Sequence, residues 1–191
     1  SQNAYNLLVR KDVEFGLQEA CSAVNANVGF IAYSPLAGGA LSGKYLDVKK
    51  IKSNYRMRKY VGYMHRYISP PSVTATKKYQ EIADFLSLPM APFALAWVHS
   101  RPYVTSTIIG ATSLDQLEEN VQSLNMMISK EALQLIDEVY HSNLEPTKGS
   151  FTIIDPYLEY IDPSKLPWGA KDTDVDPELD VLINQRMSHI F

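Results

Sequence analysis

Two segments constrain this chain more than any other feature. Val28–Tyr33 is a continuous apolar run, and Val104–Ile109 reads as a second strand of the same kind. An unbroken run like the first marks a strand buried on both faces of a parallel sheet, and the second, Val-Thr-Ser-Thr-Ile-Ile, is expected to be buried likewise. Each ends in a small-residue turn, Ser34-Pro-Leu-Ala-Gly-Gly39 after the first and Gly110-Ala-Thr-Ser113 after the second. The second turn opens directly into a helical pattern. Parallel strands need long crossovers, usually helical, so the pair predicts an α/β chain.

The remaining pattern agrees. Residues 2–5 read as a short strand. A helix is expected over 13–25 with Phe15, Leu17, Ala20, Cys21 and Val24 on its buried side. Ser72 is placed to cap a helix over 73–87, ended by Pro89, and a further helix over 91–99 starts with Pro92 in its first turn. Ser113 and Gln116 have capping-box spacing, followed by Leu117, Val121 and Leu124 as a buried stripe. Ser129 caps a last helix to about His141. The segment 34–71 is too long for an ordinary connection, and is expected to be functional or partly mobile.

Composition narrows the classes. The 191 residues are 46% hydrophobic, enough for one core. A (β/α)8 barrel is typically about 250 residues, so only part of one fits. A net charge of −3 argues against nucleic acid or an anionic membrane as partner. No apolar run approaches the ~20 residues of a span. The single cysteine, Cys21, excludes an internal disulfide and fits a reducing, cytoplasmic setting, with the thiol expected to be buried and structural. The four histidines lack metal-ligand spacing, so no metal site is expected. Ser1-Gln-Asn-Ala-Tyr5 is no targeting signal and has no initiator Met, so the chain is expected to be processed or part of something longer. Two regions are expected: a body over 1–147 and an acidic, aromatic extension over 148–191. Residues 151–191 carry net −5 and the remainder +2. Phe151, Tyr157, Tyr160, Trp168 and Phe191 would anchor that extension to a rim or a partner.

A parallel strand ending in Tyr33 presents that ring at the carboxyl edge of the sheet, where α/β barrels place their ligands. The ring offers a flat face to an aromatic cofactor. Small residues after it let backbone amides approach an anion, with Ser34 adding a hydroxyl. Gly110–Ser113 opens a helix, and helix N-termini attract phosphate. Glu119 and Asn120 follow one and a half turns later, within reach of a nucleobase. Taken singly, each feature is more often a plain turn, a cap or core packing. Their order along the chain carries the argument.

In that order the residues resemble aldo-keto reductases. Tyr33-Ser-Pro-Leu-Ala-Gly-Gly-Ala-Leu-Ser-Gly-Lys-Tyr45 is similar to the seventh-strand signature. Ile108-Ile-Gly-Ala-Thr-Ser-Leu-Asp-Gln-Leu-Glu-Glu-Asn120 is similar to the eighth, and Gln2-Asn-Ala-Tyr-Asn-Leu-Leu-Val-Arg10 to the sixth. The likeness covers residues 1–147 and points to the branch related to potassium-channel β-subunits. It implies the carboxyl-terminal portion of a (β/α)8 TIM barrel, incomplete in this chain, and NADP(H) as cofactor. Gln2 would bond the nicotinamide carboxamide and Tyr33 would stack on its ring. Ser34, Leu36 and Gly38 would line the pyrophosphate. Gly110, Ala111, Thr112, Ser113 and Gln116 would surround the 2′-phosphate, and Glu119 and Asn120 would hold adenine. Many members carry Lys or Arg beside the 2′-phosphate where this chain has Gly110 and Gln116, yet others with Gly and Gln prefer NADP.

The resemblance also implies an absence. The family's Tyr, Lys, Asp and His tetrad lies on the first half of the barrel, ahead of the segment that Gln2 begins. No catalytic residue is therefore assigned, and Tyr5, Lys44 and His99 are not put in those roles. The basic and aromatic stretch Tyr55–Tyr67 has a composition that suits single strands of nucleic acid, but its position suits a loop over cofactor phosphates. Three parallel strands leave sheet edges uncovered, so a missing amino-terminal barrel half or a partner chain is expected, and an oligomer is open. Two functions compete: the cofactor-binding half of a reductase of small-molecule carbonyl substrates, and a catalytically inactive, reductase-derived structural or regulatory subunit.

Overall fold

The computed structural model describes residues 1–60 and 62–148. The extension expected over 148–191 lies, beyond Lys148, outside the described residues. Three strands, β1 (Gln2–Ala4), β2 (Phe30–Tyr33) and β3 (Val104–Thr107), form one parallel sheet in the order β1-β2-β3. Gln2 pairs with Ile31 and Ala4 with Tyr33, while Ile31 and Ala32 pair with Ser106 and Thr107. Parallel strands joined through helices are what a section of a (β/α)8 barrel contains.

One face of the sheet is covered. Phe30 and Ala32 are buried, and behind them lies α4 (Met90–His99), whose residues from Met90 to Val98 are buried except Ala91. Trp97 is its centre, stacked on Tyr5 at 5.1 Å between ring centroids. The other face holds Gln2, Ile31 and Tyr33, which are exposed or half-exposed. β3 is correspondingly open: Thr105 and Ser106 are exposed. The expectation of a second strand buried on both faces is corrected here, because β3 ends the sheet and nothing among the described residues covers its outer side.

The helices depart from expectation in instructive ways. The helix expected over 13–25 breaks into a π-type turn over Val13–Leu17 and one short turn, α1 (Gln18–Cys21). Gly16 takes φ 155° at the break, a conformation glycine tolerates. Phe15 and Val24 are exposed and Cys21 half-exposed, so the buried thiol is also corrected. After α2 (Arg56–Lys59), the long helix α3 spans Pro70–Phe85. Its start precedes the expected Ser72 cap because Pro70 and Pro71 suit the first helical positions, with Ser69 as N-cap. The Ser72 hydroxyl instead donates to the Arg66 carbonyl at 2.6 Å and lies 3.1 Å from that of Pro146. α5 spans Leu114–Gln122, and α6 spans Lys130–Ser142 with Ser129 accepting from the Ala132 amide. Leu114, Leu117, Val121 and Leu124 on α5 and its following turn are exposed, against the expected buried stripe. Their spacing is that of a packing face; no described element packs on it.

The long segment 34–71 is folded over its described residues. It holds tight turns over Ala37–Ser42, Val48–Lys50 and His65–Tyr67 as well as α2, and buries Tyr45, Met57, Tyr67 and Ile68. No single helix among the described residues is long and apolar enough to cross a membrane.

Candidate functional site

The three strands end together. Tyr33 closes β2 opposite Ala4, and the Ile108 amide donates to the Ala32 carbonyl at 2.8 Å, carrying the ladder one step past β3. The turns after β2 and β3 therefore leave the sheet side by side at its carboxyl edge. Gln2 shares the open face with Tyr33, two residues back along the neighbouring strand, about 8 Å away.

The first turn is tightly wound. Ser34, Ala37, Gly38 and Gly39 all have positive φ, at 54°, 49°, 63° and 98°. The Ala37 amide donates to the Ser34 carbonyl at 2.9 Å and the Gly39 amide to that of Leu36 at 2.8 Å. Runs of this kind gather backbone amides into anion-binding concavities. Glycine suits 38 and 39 through their φ, which other residues seldom adopt. Beyond its φ, a side-chain carbon on Gly38 would meet Met64 Sδ at 2.7 Å and Met57 Cε at 2.9 Å, and one on Gly39 would meet Lys44 Nζ at 2.9 Å.

The second turn feeds α5. Ser113 Oγ accepts from the Gln116 amide at 3.3 Å, as the spacing predicted. The return bond differs: Gln116 Oε1 accepts from the amide of Thr112 at 3.0 Å and from its hydroxyl at 3.1 Å. Gly110, Ala111, Thr112, Ser113, Gln116 and Glu119 are all exposed, and nothing lies within 4 Å of a carbon built on Gly110. Asn120 is buried, so Glu119 and Asn120 present different surroundings. Leu36 and Gly38 are half-buried in the first turn.

Three groups were not singled out from sequence. Asn6, fully buried, accepts from the amides of Leu8 and Val9 at 2.9 and 3.0 Å, and its Nδ2 donates to the Ser34 carbonyl at 2.9 Å. It ties the segment after β1 to the first turn. Lys44 places its ammonium beside Gly39 and over the rings of Tyr45 and Tyr55, at 5.4 and 5.1 Å. Burial, then the charge of Arg56, lowers its pKa. A half-buried lysine beside a glycine turn is a cation poised for an anion, and the pattern of small residues alone gave no sign of it. Arg10, 5% exposed, bonds Glu14 and Asp137, each at 2.8 Å, and lies over Trp97 and Tyr140. Burial works against its charge, but the bond to Glu14 and then that to Asp137 hold its pKa raised. Tyr5 donates to Glu14 at 2.6 Å, so this cluster is structural. His99 packs near Thr107, with its pKa lowered by burial. Among the described residues no group of His, Cys, Asp or Glu is gathered for a metal.

The residues fit a dinucleotide in three respects: open space at Gly110, a cation at Lys44, and a half-exposed ring at Tyr33. Comparison with known proteins bears on the family. The aldo/keto reductase family model matches residues 1–141. The chain is 42% identical over 118 residues to an aldo-keto reductase of Babesia bovis, covering 61% of this chain and 41% of that protein. It is 37% identical over 142 residues to an L-glyceraldehyde 3-phosphate reductase of Escherichia coli (strain K12), covering 72% and 40%. It is 30% identical over 144 residues to a probable voltage-gated potassium channel subunit beta of Arabidopsis thaliana, covering 74% and 43%. The chain thus spans about two fifths of the length of these relatives.

Proposed function

The chain belongs to the aldo/keto reductase family, and from that premise we propose that it is the cofactor-binding part of an NADP(H)-dependent reductase of aldehydes and ketones. The juxtaposition of the two turns at one sheet edge, set by the Ile108–Ala32 bond, carries this reading. In it Tyr33 stacks on the nicotinamide ring and Gln2, on the same face, bonds its carboxamide. Ser34, Leu36 and Gly38 line the pyrophosphate, and Lys44 supplies a positive charge beside them. Gly110 to Ser113 and Gln116 surround the 2′-phosphate, with Gln116 exchanging its bonds to Thr112 for bonds to the ligand. Glu119 and Asn120 flank adenine. When bound, NADPH supplies the hydride; the groups that donate the proton lie on β/α units not in this chain.

Those units also answer the exposed stripe on α5 and the open edge of β3, which need a partner of the same construction. A cytoplasmic setting goes with the single Cys21. The relative named as a channel subunit beta supports a second reading, a subunit that keeps the dinucleotide site and has lost turnover. Assay of the purified chain with NADPH and 4-nitrobenzaldehyde, alone and with the first five β/α units of a relative added as a second polypeptide, separates the possibilities. The proposal expects turnover only in the mixture. Turnover by the chain alone would overturn it, and binding without turnover in the mixture would favour the second reading.

A further inference from the structure

Met64 joins two features that the cofactor reading leaves unused. Its backbone is left-handed, with φ 61° and ψ 20°, at the start of the His65–Tyr67 turn. Residues other than glycine adopt this region seldom, and do so where surrounding contacts hold them. The contact here is with the first turn. A carbon on Gly38 would lie 2.7 Å from Met64 Sδ and 2.9 Å from Met57 Cε, so two thioethers close on the same glycine.

The two differ in access. Met57 is 1% exposed, whereas Met64 is half-exposed. Part of Met64 is thus open to solvent while its thioether packs on the turn. A carbon added on Gly38 would displace the ends of both methionine side chains, and an oxygen added to Met64 Sδ would need a hydrogen-bond donor that Gly38 Cα and a methionine methyl do not provide.

We propose that Met64 is a reversible oxidation site for hydroperoxides, and that its sulfoxide releases the Ala37–Ser42 turn. A sulfur lone pair attacks the outer peroxide oxygen, the S–O bond forms and the O–O bond breaks. Sulfur loses two electrons, and the hydroperoxide, taking up the proton, leaves as alcohol or water. The polar sulfoxide withdraws from Gly38 and Met57. The left-handed backbone at 64 then loses the packing that holds it, and the turn opens. The consequence for nucleotide affinity rests on the cofactor reading above; the opening itself does not.

The test treats the purified chain with tert-butyl hydroperoxide. Peptide mass spectrometry locates sulfoxides, hydrogen exchange follows residues 36–43, and an NADPH titration is run in parallel. The amides of Gly39 and Leu41, both bonded to the Leu36 carbonyl, are the reporters. Expected is a sulfoxide on Met64, exchange at the reporters faster by about tenfold or more, and reversal by methionine sulfoxide reductase. Met64→Leu should show no such change, although Met127, 93% exposed, is still oxidised. Met64 resisting peroxide while Met127 reacts, unchanged exchange after Met64 is oxidised, or the same rise in Met64→Leu would each overturn the proposal. Faster exchange in a chain whose unoxidised form binds no NADPH would uphold the switch and reject the cofactor reading.

Discussion

The side-chain amide of Asn6 donates a 2.9 Å hydrogen bond to the carbonyl of Ser34. Ser34 sits at φ 54° as the chain turns out of β2, so this bond fixes the first turn from the segment after β1. Asn6→Ala removes it and takes the side-chain acceptor from the buried Leu8 amide, while the Val9 amide keeps its bond to the residue 6 carbonyl. We expect a loss of about 2–3 kcal/mol in urea unfolding, and weaker nucleotide binding in the fraction still folded.

Lys44 should make binding depend on salt and pH. Its pKa is lowered by burial and by Arg56, so the charge is lost at lower pH than for an ordinary lysine. Affinity for NADPH should decline as pH rises, over a range below that in which an ordinary lysine loses its proton. In Lys44→Met, titration fluorimetry should show about tenfold weaker binding at neutral pH, a flat profile in that range, and a smaller salt dependence.

Arg10 is a buried cation held by two carboxylates. Removing it leaves Glu14 and Asp137 without their cation and uncovers the faces of Trp97 and Tyr140. Arg10→Met should cost about 3–5 kcal/mol by chemical denaturation.

Alkali should unfold the chain early. Burial raises the phenol pKa of Tyr5, Tyr79 and Tyr140 in the folded state. The unfolded state releases those protons from about pH 10, while the folded state keeps them. Stability is therefore full below that point and falls as pH rises above it. In thermal melts, Tyr79→Phe should soften this decline, at the cost of its bond to the Leu7 carbonyl.

The stripe on α5 should behave as free apolar surface. Leu117→Glu with Val121→Glu should leave the melting temperature of the chain within a few degrees and reduce dye binding and self-association. A large fall in melting temperature would mean that the stripe is packed.

Much of this was legible in advance because it is local. The strand at Phe30–Tyr33 announces itself by continuous apolarity, Pro92 marks the first turn of α4, and Ser113 and Ser129 cap as their spacing says. What failed is what depends on neighbours. Phe15, Val24, Leu117 and Val121 sit at helical spacing in the sequence, but spacing cannot say whether anything packs against them. Ser72 looked like a cap until two prolines started the helix earlier. At the site, glycines and the Tyr33 strand end could be read directly, whereas Asn6 and Lys44 matter through contacts 28 and 5 residues away, with Ser34 and Gly39.

Calorimetric titration of the folded chain with NADPH and NADH tests the central claim most directly. The account predicts saturable one-to-one binding, tighter for NADPH, and weakened about tenfold by Tyr33→Ala. A chain that is folded by circular dichroism yet gives only heats of dilution with both nucleotides would contradict it.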